Sequence, residues 1–221
     1  NHAEYVVVNQ NLCTRIPDNT DIKEASFTVL GSIALHGLRL SETSLGSKVV
    51  VIGLGIIGQL VCRLAEAQGS EVIGIDPDTK RTDMSSNFYT SVEEANMTNV
   101  DSVIITAATS SNEPIEVATK IARNKAKIVV VGDIPLNISR NDFYYKELEL
   151  VVSKSYGPGR YDKQYEILGK DYPIEYVRWT ENRNFEAFIK LLSQNQIHLL
   201  DLVTEEVSFC LLYTSPSPRD V

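Results

Sequence analysis

A glycine-rich turn between an apolar segment and a helix-compatible segment constrains the fold of this chain more than any other feature. The run Val-Val-Val-Ile-Gly-Leu-Gly-Ile-Ile-Gly places Gly53, Gly55 and Gly58 at the spacing GxGxxG. The first glycine of this pattern permits a tight turn, the second lets the backbone approach a pyrophosphate, and the third allows a helix to pack closely on a strand. Phosphates sit on the N-terminus of that helix, so we expect its first residues, Ile56 and Ile57, to take part in the site.

An acidic residue stands where the adenosine ribose of a dinucleotide belongs. The segment Glu71-Val-Ile-Gly-Ile-Asp reads as a second strand, and Asp76 follows Gly58 by 18 residues. A carboxylate at this point accepts hydrogen bonds from ribose hydroxyls and repels a 2′-phosphate, which favours NAD(H). Arg81 follows closely and is a further candidate for cofactor contact, so NADP(H) stays open as the alternative. A different α/β protein with a glycine-rich turn and a chance Asp is the competing explanation of the whole pattern.

Apolar strands and helical segments alternate along the middle of the chain. Strands are predicted at 48–53, 71–76, 88–91, 101–106, 127–132 and 148–153, and a further strand is predicted near the start of the chain, at 3–8. Helices are predicted from Asp21 through Leu38, at 56–68 and at 114–124. Near-continuous apolar runs such as Ile128-Val-Val-Val are typical of parallel strands buried on both faces. The sequence therefore predicts an α/β fold, a doubly wound parallel-sheet Rossmann domain.

Two pairs of residues follow predicted strands at the carboxyl edge of this sheet. Thr106 and Ala107 end one strand, and Gly132 and Asp133 end the next. Ligands of open α/β sheets bind in the crevice outside this edge. We therefore expect all four residues to line the cofactor site, with Gly132 and Asp133 on the nicotinamide side. Ordinary strand-ending turns are the alternative.

The charge balance and the cysteines narrow the class of protein. The chain carries a net charge of −8, and its 21 Lys and Arg residues form no basic block, which argues against nucleic acid or an anionic membrane as a partner. No apolar run approaches the ~20 residues that cross a bilayer. The cysteines, at 13, 62 and 210, have no paired spacing, so neither a disulfide framework nor a zinc knuckle is indicated. We expect a cytoplasmic protein.

A tyrosine- and arginine-rich stretch follows the predicted sheet. Seven of the ten tyrosines lie between 144 and 176, and arginines accompany them within 155–183. Arg binds carboxylates and phosphates bidentately and Tyr can donate a proton, so a substrate site is one interpretation. Interface cores favour Tyr, Trp and Arg, so a packed contact with another domain or subunit is the other, and we expect a homo-oligomer. An amphipathic helix that includes Phe185 and a strand at 199–203 are predicted to follow.

The order of these elements, together with several long motifs, resembles the medium-chain dehydrogenase/reductase superfamily of zinc-type alcohol and polyol dehydrogenases. His2-Ala-Glu-Tyr-Val-Val-Val is similar to the end of its GroES-like catalytic domain, and residues 185–204 are similar to the return to that domain. The motifs Tyr145-Lys-Glu-Leu, Ser155-Tyr-Gly-Pro-Gly-Arg-Tyr-Asp and Asp171-Tyr-Pro-Ile-Glu-Tyr-Val-Arg-Trp resemble a bacterial two-part branch. In that branch such a unit precedes a domain of the glucose-fructose oxidoreductase type.

The resemblance implies four segments. Residues 1–20 would end a GroES-like catalytic domain, and 21–155 would form the Rossmann NAD-binding domain. Residues 156–209 would hold the Tyr- and Arg-rich stretch and the return to the catalytic domain. The segment 210–221 begins Cys-Leu-Leu-Tyr-Thr-Ser-Pro-Ser-Pro-Arg-Asp, and its residues 210–220 resemble a translated sequencing adapter, with a Ser- and Pro-rich tail as the alternative. We therefore expect a fragment flanked by remnants of a catalytic domain.

The resemblance also implies an activity. It implies an NAD(H)-dependent oxidoreductase that transfers hydride between nicotinamide and a sugar- or polyol-like alcohol or ketone, in a branch associated with surface-polysaccharide sugars. Zinc-type members carry a metal ligand on the helix before the glycine turn, but Phe27-Thr-Val-Leu-Gly-Ser-Ile offers no Cys, His, Asp or Glu, which argues against zinc. No metal ligand and no catalytic residue is assigned. The alternatives are a non-catalytic NAD-binding module of a larger protein and an enzyme whose chemistry lies in a missing C-terminal domain that contacts this chain.

Overall fold

A parallel sheet of six strands forms the centre of the molecule. The computed structural model describes residues 3–85 and 87–208. The strands β1 to β6 are, in chain order, Lys48–Ile52, Glu71–Ile75, Phe88–Tyr89, Val100–Ile105, Ala122–Val130 and Glu149–Val152. Their order in the sheet is β3-β2-β1-β4-β5-β6, and every neighbouring pair is parallel. This topology confirms the predicted doubly wound fold, and its strand order reverses between β1 and β4, where such folds bind ligands.

Helices cover both faces of the sheet. The helices α1 to α9 are, in chain order, Ile22–Ala25, Thr28–Leu40, Ile56–Ala67, Thr79–Thr82, Val92–Ala95, Glu113–Ile121, Arg140–Lys146, Lys163–Glu166 and Glu181–Ser193. Short 3-10 turns occupy Gln10–Leu12 and Leu200–Leu202. Within the described ranges, none of the helices has both the length and the apolar character needed to cross a membrane.

The alternating side chains of β1 enter two separate cores. Val49 and Val51 lie in one cluster with residues of α2, α3 and α9, whereas Val50 and Ile52 lie with residues of α6 on the opposite face. Successive residues of a strand point to opposite faces, so a strand covered on both sides is apolar at every buried position. Val50 and Val51 are each 0% exposed, and burying a side chain of this size contributes about 1.5–3 kcal/mol. This burial fixes β1, and with it the start of the glycine turn, in the middle of the sheet.

Two strands predicted at the ends of the chain are wrong. Residues 199–203 contain the 3-10 turn Leu200–Leu202, and Ala3–Val8 joins no sheet in the described part of the chain. Tyr5 is 90% exposed, as expected of a segment with no neighbouring strand to pair with. His2 and the segment 210–221 lie outside the described residues.

The helix boundaries differ from the predicted ones in two places. The helix predicted from Asp21 through Leu38 is divided into α1 and α2, because the N–H of Phe27 bonds three residues back to Glu24 and tightens the turn there. Asp21 does cap α1, since its carboxylate accepts the N–H groups of Lys23 and Glu24. The helix predicted at 114–124 ends at Ile121, because the next residue adopts an extended conformation and begins β5. The amphipathic helix around Phe185 is confirmed as α9.

Candidate dinucleotide-binding site

The first glycine of the turn has a backbone that only glycine adopts readily. Gly53 has φ of +96°, and its N–H donates to the carbonyl of Ile75 at 2.8 Å. A Cβ atom at this position would lie 2.5 Å from the backbone nitrogen of Ala107. Because both the conformation and the contact exclude a side chain, β1 can turn into α3 only with glycine at position 53.

The third glycine brings α3 against the ends of two strands. A Cβ atom on Gly58 would lie 1.9 Å from the carbonyl oxygen of Gly53 and 2.8 Å from Oγ1 of Thr106. The Thr106 hydroxyl donates to that same carbonyl across 2.5 Å. Thr106, at the end of β4, therefore ties the glycine turn to the neighbouring strand.

The N-terminus of α3 presents free donors to open space. Gly55 is the N-cap residue and has no side chain to accept the N–H groups of the first turn, which include those of Ile56 and Ile57. A Cβ atom on Gly55 would meet no protein atom within 4 Å. The 12-residue helix also directs the positive end of its dipole into this space. Donors, dipole and free volume together fit a pyrophosphate.

The acidic residue after β2 is fixed to the glycine turn. Asp76 is 3% exposed, and its Oδ2 accepts the N–H of Leu54 at 2.6 Å while its Oδ1 accepts the N–H of Asp78 at 2.9 Å. Leu54 lies between the first two glycines, so this bond holds the carboxylate beside the pyrophosphate space. The sequence did not reveal this contact, because a backbone donor leaves no side-chain signal.

The guanidinium group of Arg81 forms an ion pair with the carboxylate of Asp76. Nη1 of Arg81 lies 3.1 Å from Oδ2 of Asp76, and Nε lies 3.5 Å from Oδ2 of Asp78. The Arg81 side chain is 49% exposed. It can therefore turn aside to admit ribose hydroxyls to Asp76, and its charge would attract a 2′-phosphate. The structure thus brings both predicted adenosine-side residues together.

The ends of β4 and β5 meet beside the turn. A Cβ atom on Gly132 would lie 2.0 Å from the carbonyl oxygen of Ala107, so the two strand ends pack backbone to backbone. The carbonyl of Asp133 accepts the N–H of Thr109 at 3.0 Å, whereas its side chain is exposed. Thr106, Ala107 and Gly132 thus gather at the carboxyl edge next to Gly53, and Asp133 faces solvent.

Much of the Tyr- and Arg-rich stretch is packed against itself. Tyr165 is 0% exposed, its hydroxyl donates to Thr180 and accepts the N–H of Asn182, and burial raises its pKa. Arg160 pairs with Glu166 at 2.8 Å. These groups support the folding of the segment itself, and the structure does not gather them around an open cleft.

The described residues do not fit a catalytic zinc ion. No group of three or more His, Cys, Asp and Glu side chains in 3–85 and 87–208 lies close enough to hold a metal. Glu24, in α1, uses its carboxylate to accept the N–H of Leu199 at 2.6 Å. His36 is buried in α2, and burial together with the charge of Arg39 lowers its pKa.

Sequence and structure comparisons agree on the type of domain. A 2-dehydro-3-deoxy-L-galactonate 5-dehydrogenase from Pseudoalteromonas atlantica is 26% identical over 169 residues, which is 70% of this chain and 49% of that protein. Galactitol-1-phosphate dehydrogenase from Escherichia coli superimposes with a TM-score of 0.69 at 22% identity, over 90% of this chain and 57% of its own. An alcohol dehydrogenase from E. coli CFT073 in complex with NADH gives 0.70 at 18% identity, over 91% and 56%. These relatives and neighbours are alcohol and polyol dehydrogenases, and the likeness to the two structures is one of fold.

A family model matches the cofactor domain itself. The model, described as D-isomer specific 2-hydroxyacid dehydrogenase, NAD binding domain, matches residues 30–142, from the first turn of α2 to the first turn of α7. Those residues include the glycine turn, Asp76 and the ends of β4 and β5. The chain spans about half the length of the curated relative from Pseudoalteromonas atlantica. Since the model covers just over half of this chain, the protein belongs to the family of D-isomer specific 2-hydroxyacid dehydrogenase NAD-binding domains.

Proposed function

We propose that this chain is the cofactor-binding part of an NAD(H)-dependent oxidoreductase of the medium-chain kind, acting on a sugar- or polyol-like alcohol or ketone. The observation that carries the proposal is the open N-terminus of α3. Gly55 leaves free space in front of unpartnered N–H groups, and Asp76 is fixed beside it through the N–H of Leu54. A dinucleotide needs this pairing of a pyrophosphate cradle and a ribose acceptor.

Most of the predicted site residues have a proposed task. The N–H groups of Ile56, Ile57 and Gly58 would bind the pyrophosphate, and Asp76 would accept the adenosine ribose hydroxyls once Arg81 turns aside. At the carboxyl ends of β4 and β5, the backbone contact of Ala107 with Gly132 would form the floor under the nicotinamide. Bound nicotinamide supplies the hydride chemistry, and the protein orients it. No residue of the chain is assigned as a proton relay.

The substrate class rests on the names of the relatives. The family model takes its name from hydroxyacid dehydrogenases but covers the cofactor domain alone. The 169-residue match to a sugar-acid dehydrogenase is longer than that domain match and extends beyond it, so it bears more directly on the rest of the enzyme. A sugar or polyol substrate is therefore the better supported choice.

We also propose how the whole protein is organised, assembled and located. The motif resemblance supports three of these proposals: a fusion to a glucose-fructose-oxidoreductase-type domain, an association with surface-polysaccharide sugars, and a division into the segments 1–20, 21–155, 156–209 and 210–221. Homo-oligomerisation and contact with a C-terminal domain are supported by the exposed tyrosines of the Tyr- and Arg-rich stretch, of which Tyr176 is 86% exposed. A cytoplasmic location is supported by the free thiols of Cys13 and Cys62.

Cofactor titration tests the proposal. NADH and NADPH would be titrated into the wild-type chain and the Asp76→Asn variant, with binding followed by calorimetry. We expect wild type to bind NADH more tightly than NADPH, and Asp76→Asn to reduce that preference by about tenfold, because the amide removes the charge that repels a 2′-phosphate. Asn keeps an oxygen for the N–H of Leu54 and loses only the bond from the N–H of Asp78, so the glycine turn should survive. Asp76→Ala, which removes that oxygen, shows how much of any loss comes from the turn itself.

Arg81→Ala tests the other partner of the Asp76–Arg81 ion pair. It removes the guanidinium over Asp76 and should weaken NADPH more than NADH. Urea unfolding of each variant separates loss of the fold from loss of cofactor contacts. Tighter binding of NADPH than NADH by the wild-type chain would overturn the NAD assignment, and failure of both to bind would overturn the site.

A non-catalytic NAD-binding module is the second candidate. The observation that favours it is that the described residues do not fit a zinc ion. Turnover assays with the full-length protein separate the two candidates. Ketoses would be tested with NADH and polyols with NAD⁺. Tight NADH binding without turnover of any of these compounds would favour the module.

A further inference from the structure

Two arginines flank the single tryptophan of the chain. Cζ of Arg39, in α2, lies 3.3 Å from the ring centroid of Trp179, and Cζ of Arg178 lies 3.8 Å from the same centroid. Two carbons this close to one centroid on the same face would overlap, since contact distances are about 3.5–4.0 Å. The guanidinium groups therefore occupy opposite faces of the indole. Their distances from the ring place the two cationic carbons at most about 7 Å apart.

One of the two guanidinium groups is held rigidly. Nε of Arg39 donates to Oδ1 of Asn184 at 3.0 Å, and Asn184 is 0% exposed. The amide of Asn184 is fixed in turn, because its Nδ2 donates to the carbonyl of Tyr156 at 2.9 Å. Within the described part of the chain, the Nη groups of Arg39 bond to no protein acceptor. They remain as preoriented donors, the geometry in which arginine binds oxyanions best.

The positive charges of Arg39 and Arg178 are not neutralised by neighbouring carboxylates in the described part of the chain. Among the described residues, neither Arg39 nor Arg178 lies within ion-pair distance of a carboxylate. Burial, together with the charge of Arg178, lowers the pKa of Arg39 to about 10, so Arg39 remains cationic at neutral pH. Burial, followed by the charge of Arg39, also lowers the pKa of the nearby His36. In a chain of net charge −8, two neighbouring cations without an acidic partner are unexpected.

This cluster is separate from the proposed cofactor site. Arg39 stands near the end of α2, which packs against both α3 and α9, and Trp179 lies just before α9. The side-chain hydrogen bond of Arg39 goes to Asn184, in α9. Among the described residues, none of the three side chains of the cluster bonds to the glycine turn, to Asp76 or to the ends of β4 and β5.

We propose that Arg39, Trp179 and Arg178 form a binding site for the phosphate group of a small molecule. A phosphate carries about −1.5 to −2 charges at neutral pH and three acceptor oxygens, which matches two guanidinium groups better than a carboxylate does. Hydrogen bonds of about 2.8 Å from both sides allow one phosphate at the rim of the indole to bridge groups at this separation. Arg39 supplies the fixed contact, and the exposed Arg178 closes on the anion.

Trp179 reports on the site directly, because it is the only tryptophan in the chain. Inorganic phosphate would be titrated into the full chain at constant ionic strength while tryptophan fluorescence is recorded, with chloride and glycerol phosphate in parallel. We expect a saturable change with both phosphate compounds and none with chloride. An equal response to both places recognition on the phosphate alone, and a tighter response to glycerol phosphate shows that the organic part is bound too.

Three variants make the test decisive. Arg178→Ala changes an exposed side chain and should weaken phosphate at least about tenfold without loss of stability. Arg39→Lys keeps a charge but loses the planar fork, so it should weaken binding as well even if the protein folds normally. Arg140→Ala is the control, since Arg140 also stacks on an aromatic ring, Tyr144, at 4.8 Å, and no second arginine of the described residues lies over that ring.

A fourth variant separates this site from the cofactor site. Gly55→Ala should leave the phosphate titration unchanged even where it abolishes NADH binding. The proposal is overturned if phosphate gives no saturable signal, if chloride gives the same signal, or if Arg178→Ala binds phosphate as wild type does. Loss of the signal in Gly55→Ala would likewise overturn it, by assigning the anion to the N-terminus of α3.

Discussion

At the scale of single residues, the glycines of the turn differ in what a methyl group would meet. At Gly58 it would meet the backbone at 1.9 Å, and at Gly55 it would meet no protein atom within 4 Å. The same substitution therefore tests structure at one position and ligand space at the other. The GxGxxG spacing predicts that both glycines belong to the turn. The packed structure shows that Gly58 allows close helix packing, whereas Gly55 leaves open space.

We expect Gly58→Ala to destabilise the protein by about 1–3 kcal/mol, because the added carbon must push α3 away from Gly53. We expect Gly55→Ala to change stability by less than about 0.5 kcal/mol, since its backbone φ of −63° suits alanine. Gly55→Ala should nevertheless weaken NADH at least about tenfold by filling the pyrophosphate space. Urea unfolding and NADH titration of both variants measure the two effects. Normal NADH affinity in Gly55→Ala would contradict the placement of the pyrophosphate.

A buried carboxyl group at the start of α9 is also informative at this scale. Glu181 is 2% exposed, and its Oε2 has no hydrogen-bond partner among the described residues. Burial, followed by the charge of Glu166, raises its pKa from 4.5 to about 7, while Arg160 acts in the opposite direction. In the folded protein this group therefore keeps its proton at pH values where the unfolded chain has lost it.

The contribution of Glu181 to the stability of the protein should consequently fall as pH rises from about 4.5 to 7, because this group binds fewer protons in the unfolded state over this range. Glu181→Gln removes the ionisable group and should be more stable than wild type above pH 7, by on the order of 1–3 kcal/mol. Near pH 4, ionisation of Glu181 should contribute little to the difference in the free energy of unfolding between wild type and Glu181→Gln. Unfolding curves at several pH values measure the difference, with Glu186→Gln, on the exposed face of α9, as the control. A pH-independent difference would contradict the shifted pKa.

At the scale of elements, close contact between α2 and α9 holds the cofactor domain and the Tyr- and Arg-rich stretch together. A Cβ atom on Gly31, in α2, would lie 2.2 Å from the ring of Phe188, in α9, and Phe188 is 0% exposed. The amphipathic pattern predicts both helices. It does not predict that a glycine in one makes room for an aromatic ring of the other, because that contact joins residues distant in sequence.

We expect Gly31→Ala to destabilise the protein by about 1–3 kcal/mol through overpacking, even though alanine favours helix formation. Phe188→Leu in the same protein should recover part of this loss, since a smaller side chain leaves room for the methyl group. Val29→Ala, at a 47% exposed position of α2, is the control and should change stability by less than about 0.5 kcal/mol. Additive effects of the two substitutions in urea unfolding would contradict direct packing between them.

At the scale of the whole molecule, the proposed cofactor would join elements that are far apart in the chain. Its contacts would come from the turn after β1, the end of β2 and the ends of β4 and β5. A ligand that binds only this folded arrangement stabilises it by mass action. The stability of the whole chain therefore reports on the site without any assay of turnover.

We expect NADH at about 100 times its dissociation constant to stabilise the chain by about 2.7 kcal/mol, which raises the Tm of a protein of this size by roughly 5–10 °C. Adenosine alone should give a smaller shift, because it lacks the pyrophosphate. Differential scanning calorimetry over a series of NADH concentrations measures the effect. A Tm that does not depend on NADH would contradict binding to the folded domain.

The fold class and the core of the candidate site follow from the sequence alone. Apolar runs buried on both faces specify parallel strands, and the glycine spacing with Asp76 predicts a dinucleotide turn, because these signals are local and each residue type has a direct physical reason. Local pattern was misleading at 199–203 and 3–8, since an apolar segment becomes a strand only if a neighbour accepts its hydrogen bonds. The contacts by which Leu54 fixes Asp76, Arg81 covers it, and Arg39 and Arg178 enclose Trp179 are visible only in the folded molecule. Those contacts depend on backbone donors and on residues from separate helices, which a linear pattern does not bring together.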